Sequence, residues 1–249
     1  MATSSRSRQE EDTALVLHTY PYSETSLIVE VFTRHFGRIG LLAKGAKRPR
    51  SVLRGTLHAF QPLTIAWLGK NELRTLASAD WQAALPQLTG IGLICGFYLN
   101  ELILKLLRRD DPHEKLFDYY MEAIMQLRQV KMEGRHNVTV NPLLRRFELH
   151  LLKELGYAVV LEHDADLGTH ITASKTYEYI NEHGPIESKP NSTRFKFSGQ
   201  TLIDMAQEDY SNPTTLLESK QIMRQLISHY LGDQPLHTRQ LIKDLKEIV

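Results

Sequence analysis

Cysteine is almost missing from this chain. Cys95 is the single one in 249 residues, which excludes an intrachain disulfide and a cysteine-based zinc centre and suits a reducing compartment. Long apolar runs are missing as well. The most apolar stretch, Ile91 to Leu107, is broken by Asn100, Glu101 and Lys105 and contains Gly92 and Gly96, so it reads as a buried helix and not as a membrane span. Residues 1–12 lack the apolar centre of a secretory signal and read as a flexible polar tail. The expected setting is therefore the cytoplasm. There is no G-x-x-x-x-G-K-[ST] phosphate loop, no H-E-x-x-H and no G-x-S-x-G elbow, so no catalytic residue is assigned, and no cofactor is expected.

The most telling absence is of acids. From Val31 to Asn71 there is no Asp or Glu, while eight cations fall in the same 41 residues: Arg34, Arg38, Lys44, Lys47, Arg48, Arg50, Arg54 and Lys70. The whole chain carries 30 Lys+Arg against 29 Asp+Glu; outside the window 22 cations face 29 anions, a net of −7. A nearly neutral chain has thus concentrated its positive potential in one segment, which attracts polyanions, nucleic acid foremost.

With 42% hydrophobic and 24% charged residues, the composition is that of a globular protein with a real core, long enough for two domains. The first eighty residues read as five short strands: 14–20, 26–33, 38–43, 63–68 and 73–79. They alternate and are separated by turn residues, and five strands in this length suit a small closed barrel of the oligonucleotide/oligosaccharide-binding (OB) type. Past Pro86 the period becomes helical. Helices are predicted over 89–109 and 113–130, then a polar break at 131–137. A third helix follows, with Asn141 as N-cap, Pro142 at its first position and Gly156 past its end. Strands are predicted over 176–180 and 193–197 within a weakly patterned insert, 157–197. Helices return over 199–207, 213–231 and 236–248. The expected fold is α+β, with a tail (1–12), a barrel domain (13–82) and a helical domain (83–249).

The segment from Lys44 to Arg54 lies between the third and fourth strands. Its Gly, Pro and closely spaced cations predict an exposed loop that cannot pack inward. Each cation held near a phosphate releases a counterion, so affinity for single strands falls with salt at a log–log slope of about −0.7 per phosphate, or about −3.5 for five contacts. A solvated basic loop without a ligand is the plain alternative, but it leaves the forty-one acid-free residues unexplained. No base-specific code is visible. Phe32, Phe36, Phe60 and Trp67 are candidate stacking platforms, Phe36 foremost because it sits at a turn, although filling the barrel core is the plainer and favoured reading of each one. Glu162, His163, Asp164, Asp166 and His170 form the one cluster with divalent-metal ligand types; a solvated loop is the simpler reading, and no metal site is assigned.

Several collinear pieces resemble the RecO family of bacterial DNA repair proteins. They are Pro21-Tyr22-Ser23-Glu24-Thr25-Ser26-Leu27, Phe32-Thr33 through Gly37-Arg38, Ala43-Lys44-Gly45-Ala46-Lys47-Arg48, Leu53-Arg54-Gly55-Thr56-Leu57, Phe60-Gln61-Pro62-Leu63 and Tyr98-Leu99-Asn100-Glu101-Leu102. Further on, Leu144-Arg145-Arg146-Phe147-Glu148-Leu149, Leu155-Gly156-Tyr157, Leu231-Gly232 and Pro235-Leu236 with Arg239 continue in the same order. The resemblance implies an OB barrel followed by a helical domain. It also implies binding of single- and double-stranded DNA, annealing of complementary strands and help in loading RecA on DNA coated by single-strand-binding protein (SSB). Implied partners are RecR and the acidic, apolar C-terminal tail of SSB, and the implied place is the bacterial cytoplasm, at the nucleoid during repair. Some family members carry a four-cysteine zinc site where this chain has none, so zinc is not expected. A tail of that chemistry needs a cation beside an apolar groove, and Leu144, Arg145 and Arg146, followed by Phe147, offer one; arginines making only local pairs are the alternative. Rival readings are a metal-dependent nuclease using Glu162, Asp164 and Asp166, an OB-fold RNA-binding protein and a scaffold for acidic proteins.

Overall fold

A computed structural model of the chain describes residues 10–130, 140–157 and 159–241. Packing divides the described residues into two compact units, those within Met1–Val130 and Leu236–Val249, and those within Lys131–Pro235.

The first unit is built on five strands: β1 (Glu10–Pro21), β2 (Leu27–Thr33), β3 (Gly37–Ala43), β4 (Pro62–Leu68) and β5 (Leu73–Trp81). They close in the order β1-β2-β3-β5-β4, with β3 and β5 parallel and every other pair antiparallel. That is the OB arrangement, and closure leaves no strand edge unpaired. One face of each strand lines the interior, where Val16, Val29, Val31, Ile39, Leu63 and Trp67 are buried. The first strand begins at Glu10, inside the stretch expected to be a tail, because Glu10 to Asp12 pair with Trp67 to Ile65 of β4. Asp12 is buried and its Oδ2 accepts from the His35 amide at 2.7 Å. A run of three acids, Glu10 to Asp12, makes the start of this strand look like a polar terminus when read alone.

A short helix α1 (Leu53–Thr56) sits in the β3–β4 connection. Two longer ones, α2 (Gly90–Leu106) and α3 (Glu114–Leu127), belong to the same unit as the barrel. Asn100 on α2 donates to the Leu17 carbonyl at 2.8 Å and accepts from the Tyr120 hydroxyl, while Phe117 on α3 packs edge-on to Phe32 at 5.4 Å. The turn between these helices reaches the β2–β3 hairpin at Gly37. That residue has φ +67°, and a Cβ there would lie 2.0 Å from the Asp111 carbonyl oxygen, so both backbone and space require glycine. After the second unit the chain returns at Leu236 into a helical turn over 237–241. Glu101 accepts from its first two amides, His237 N at 2.8 Å and Thr238 N at 2.9 Å, and from the Thr238 hydroxyl at 2.6 Å.

The second unit holds α4 (Val140–Glu154), β6 (Thr176–Ile180), β7 (Gly184–Glu187), β8 (Phe197–Ser198), α5 (Gly199–Ala206) and α6 (Pro213–Leu231). The three strands form one antiparallel sheet, β7-β6-β8. The expected insert is therefore partly regular, and β7 escaped prediction because Gly184-Pro185 reads as a turn. Helix α4 already includes Asn141 and Pro142, whereas α6 spans the residues expected of it; Gly232 ends it at φ +58°, and the structure adds a cap, Asn212 Oδ1 accepting from the Thr214 amide at 2.9 Å. The expected break at 131–137 and the end of the last helix beyond 241 lie outside the described residues.

Candidate nucleic-acid interface

The β3–β4 connection is braced as well as charged, contrary to the expectation that it could not pack inward. Ala46 is buried in the barrel core and Leu53 and Leu57 pack against that core, which fixes the segment from within. From outside it is tied to the β1–β2 loop: Lys47 N donates to Thr25 O at 2.9 Å, Lys47 Nζ to Ser23 O at 2.9 Å and Gly45 N to Ser26 Oγ at 3.4 Å. Successive i→i+3 turns, Arg48 N to Gly45 O and Ser51 N to Arg48 O, both 3.0 Å, carry the chain into α1. The small residue at 46 is what lets the loop lie so close. Lys44, Lys47, Arg48, Arg50 and Arg54 consequently project outward and are exposed. Among the described residues no carboxylate pairs with any of the five.

The remaining cations of the acid-free stretch are separated from these. Arg34 is ion-paired with Asp118 of α3 at 2.9 Å, both side chains about half exposed. Arg38 lies 3.7 Å from buried Glu30 and donates to the Leu104 carbonyl at 2.9 Å. Burial lowers the Arg38 pKa, opposed by the Glu30 charge. Arg109, outside the window, pairs with Glu30 and with Glu72 at 2.9 Å, and its pKa is raised by the Glu30 hydrogen bond above all. Lys70 is exposed at the β4–β5 turn. Counting charges along the chain could not show that Glu30 and Asp118, both outside the window, fold against two of its arginines.

The aromatic candidates divide in the same way. Phe32, Phe60 and Trp67 are buried, and half-buried Phe36 meets Trp67 edge-on at 5.1 Å. Losing a buried Phe or Trp costs about 3–5 kcal/mol, against about 1–3 kcal/mol gained by stacking one base, so the buried three act as core. The exposed aromatic surface of the barrel comes from residues the sequence reading passed over: Tyr20 (45%), Tyr22 (58%) and Trp81 (43%). Tyr22 adjoins Ser23, the residue that receives Lys47 Nζ, and the Trp81 indole donates to the Thr56 carbonyl of α1 at 2.9 Å. Aromatic residues on either side of Pro21, at a strand end, were the available signal.

On α4, Arg145 is buried and its guanidinium pairs with fully buried Glu148 at 2.5 Å. Arg146 is exposed; its Nε and Nη2 donate to the Glu208 carbonyl at 3.3 and 3.1 Å. Leu144 is half-buried. The residues Glu162 to His170 form a turn organised by Asp164. Its Oδ1 accepts from the amides of Asp166 and Leu167 at 2.9 Å and its Oδ2 from Glu187 N at 2.8 Å. His163 and His170 pair across a β-bridge with ring centroids 4.3 Å apart, and Asp166 faces His183 at 2.9 Å. The carboxylate central to the nuclease reading thus fastens the backbone, and no group of three or more His, Cys, Asp or Glu among the described residues could hold a metal ion. Nor is any described helix long and apolar enough to cross a membrane.

Comparison with known proteins adds to this geometry. The family model described as Recombination protein O N terminal matches residues 7–84, and Recombination protein O C terminal matches residues 87–240. A protein of Nitrosospira multiformis named DNA repair protein RecO is 54% identical over 245 residues, 98% of each chain. Proteins of the same name from Azoarcus sp. and Aromatoleum aromaticum are 49% and 47% identical, each over 98% of this chain and 99% and 100% of their own.

Proposed function

Because the chain belongs to the RecO family of DNA repair and recombination proteins, we propose that it acts without catalysis, by gripping the sugar–phosphate backbone of DNA on the β3–β4 face of its barrel. The observation that carries this reading is the group of five exposed cations, Lys44, Lys47, Arg48, Arg50 and Arg54, on a braced segment with no carboxylate partner among the described residues. A pre-ordered cationic segment loses little entropy on binding, and it neutralises phosphates on either one strand or two. Two complementary strands held on it repel each other less while their base edges stay exposed, which promotes annealing. Binding of both single- and double-stranded DNA follows from contacts that read phosphate and not sequence.

Arg34 and Arg38 enter this reading unequally. An exposed pair such as Arg34–Asp118 is worth about 0.2–1 kcal/mol, so a phosphate displaces Asp118 at small cost and Arg34 extends the DNA path. Separating the Arg38–Glu30 pair leaves a buried carboxylate less compensated, and Arg38 holds the barrel together instead. Within cells we place the protein in the bacterial cytoplasm, joining the nucleoid during repair, and working with RecR to load RecA on DNA coated by SSB. For the SSB tail, Arg146 with Leu144 remains the candidate on α4, since Arg145 is committed to Glu148; titrating a tail peptide against Arg146→Ala should show weaker binding.

The test of the main reading is annealing of complementary oligonucleotides by a chain in which Lys44, Lys47, Arg48 and Arg50 are all replaced by Glu. We expect annealing and binding to be lost at moderate salt with circular dichroism unchanged. Wild-type annealing by a folded variant would refute the reading.

A further inference from the structure

The second unit has its own acid-free basic segment, separate from the barrel. From Ser188 to Phe197 three cations, Lys189, Arg194 and Lys196, occur without an Asp or Glu. The segment runs between β7 and β8 and is moored to β6 at its start, where Ser188 N donates to the Thr176 carbonyl and Ser188 Oγ to Glu178 Oε1, both at 2.8 Å; it then folds on itself through Ser192 N to Lys189 O at 3.1 Å and Arg194 N to Ser192 Oγ at 3.3 Å. It presents Phe195 with 69% of its surface exposed, while Phe197, two residues on, is buried in β8. An aromatic face left this open is free to stack on a planar ligand.

Phe195 forms one wall of an open cavity of about 410 Å³, with Arg194, Thr193, Tyr179, Asn181 and Gln225 among the other walls. That volume lies in the lower part of the range for small-ligand sites, about 300–1,000 Å³. The cavity holds a fixed polar pair. Gln225 Nε2 donates to the Tyr179 carbonyl at 2.8 Å and to Asn181 Oδ1 at 2.9 Å. The orientation of both amides is thereby set, leaving Gln225 Oε1 as an acceptor and Asn181 Nδ2 as a donor. The Arg194 side chain is 64% exposed and only one of its nitrogens approaches Glu178, at 3.8 Å, so its other donors face solvent.

We propose that this cavity takes one unpaired nucleotide of a single-stranded nucleic acid, the base stacked on Phe195, its edge against the Asn181–Gln225 amides and its phosphate on Arg194 or Lys196. Aromatic faces beside guanidinium groups hold splayed bases in this way, and a side-chain amide offers the paired donor and acceptor a base edge requires. A hydrophobic peptide end would be less well served by walls that carry two amides and a threonine hydroxyl. The inference rests on the reading of the chain as a DNA-binding protein, but not on the barrel segment.

The test uses the full chain and a short oligothymidylate. Phe195→Ala should weaken binding about tenfold, and Phe195→Trp should restore it. With Trp81 replaced by Phe to remove the exposed barrel indole, the fluorescence of the indole introduced at 195 should be quenched as the oligonucleotide is added. Unchanged affinity in Phe195→Ala with no quenching would overturn the proposal. So would quenching by an acidic peptide with an aromatic end and none by the oligonucleotide. The same titrations on the Lys44, Lys47, Arg48 and Arg50 charge-reversal chain separate the two sites: quenching at 195 that persists there supports the pocket, whether or not the barrel segment proves to bind DNA.

Discussion

Tyr22 shows how exposure decides the role of a single side chain. Its ring is 58% exposed next to Ser23, whose carbonyl holds the Lys47 ammonium, whereas the Trp67 indole, larger and better suited to stacking, is sealed inside the barrel. A base stacked on Tyr22 would have its phosphate within reach of the neighbouring cations. Tyr22→Ala should therefore lower single-strand affinity by about tenfold, from the loss of about 1–3 kcal/mol of stacking. It should leave the thermal midpoint of unfolding close to wild type, because an exposed ring contributes little packing. A parallel oligonucleotide titration and melting curve check both halves. The charges at this scale were legible along the chain; the aromatics were not. Aromatic residues can sit on either face of a strand or at its end, and only burial separates Phe32 from Tyr22.

Among the elements, the β-rich half was read closely because each strand alternates and ends at a turn residue, and α6 because Pro213 and Gly232 mark its limits. What sequence could not supply was long-range partnership. Glu101 sits in the middle of α2, where it looks like an ordinary interruption of an apolar run, yet it receives three donors from residues 237 and 238, more than 130 positions later. Burial on its own would raise the Glu101 pKa, but the Thr238 hydroxyl, the two amides and Lys105 outweigh it and hold the carboxyl below its ordinary value of 4.5. A lowered carboxylate pKa contributes stability that is complete above the ordinary value and is lost as pH falls through the lowered one. The attachment of residues 236–241 should therefore hold from neutral pH down to the ordinary carboxyl range and weaken below it. Glu101→Gln should mimic the acid state at neutral pH. Amide exchange at His237 and Thr238 is the readout: faster in the variant than in wild type at neutral pH, and converging at low pH.

For the whole molecule, the proposed mode of action is electrostatic. Total charge is only +1, and removing the stretch from Val31 to Asn71 leaves −7, so on the proposed reading attraction to DNA would be local, and the net negative remainder would discourage indiscriminate coating of a polyanion. Salt dependence is then the signature of the mechanism, since each phosphate neutralised contributes about −0.7 to the log–log slope for single strands. Packing shows why the slope should report the five outward cations: Arg38 is occupied by Glu30 and the Leu104 carbonyl, and Arg34 adds to the contact only by exchanging Asp118 for phosphate. The most direct measurement is oligothymidylate affinity across a salt series, for the wild-type chain and the Lys44, Lys47, Arg48 and Arg50 to Glu variant. The wild type should give a slope of about −3.5, and the variant a slope at least two units shallower with weaker binding at every salt concentration. Equal slopes for the two folded proteins would contradict a DNA grip centred on the β3–β4 connection.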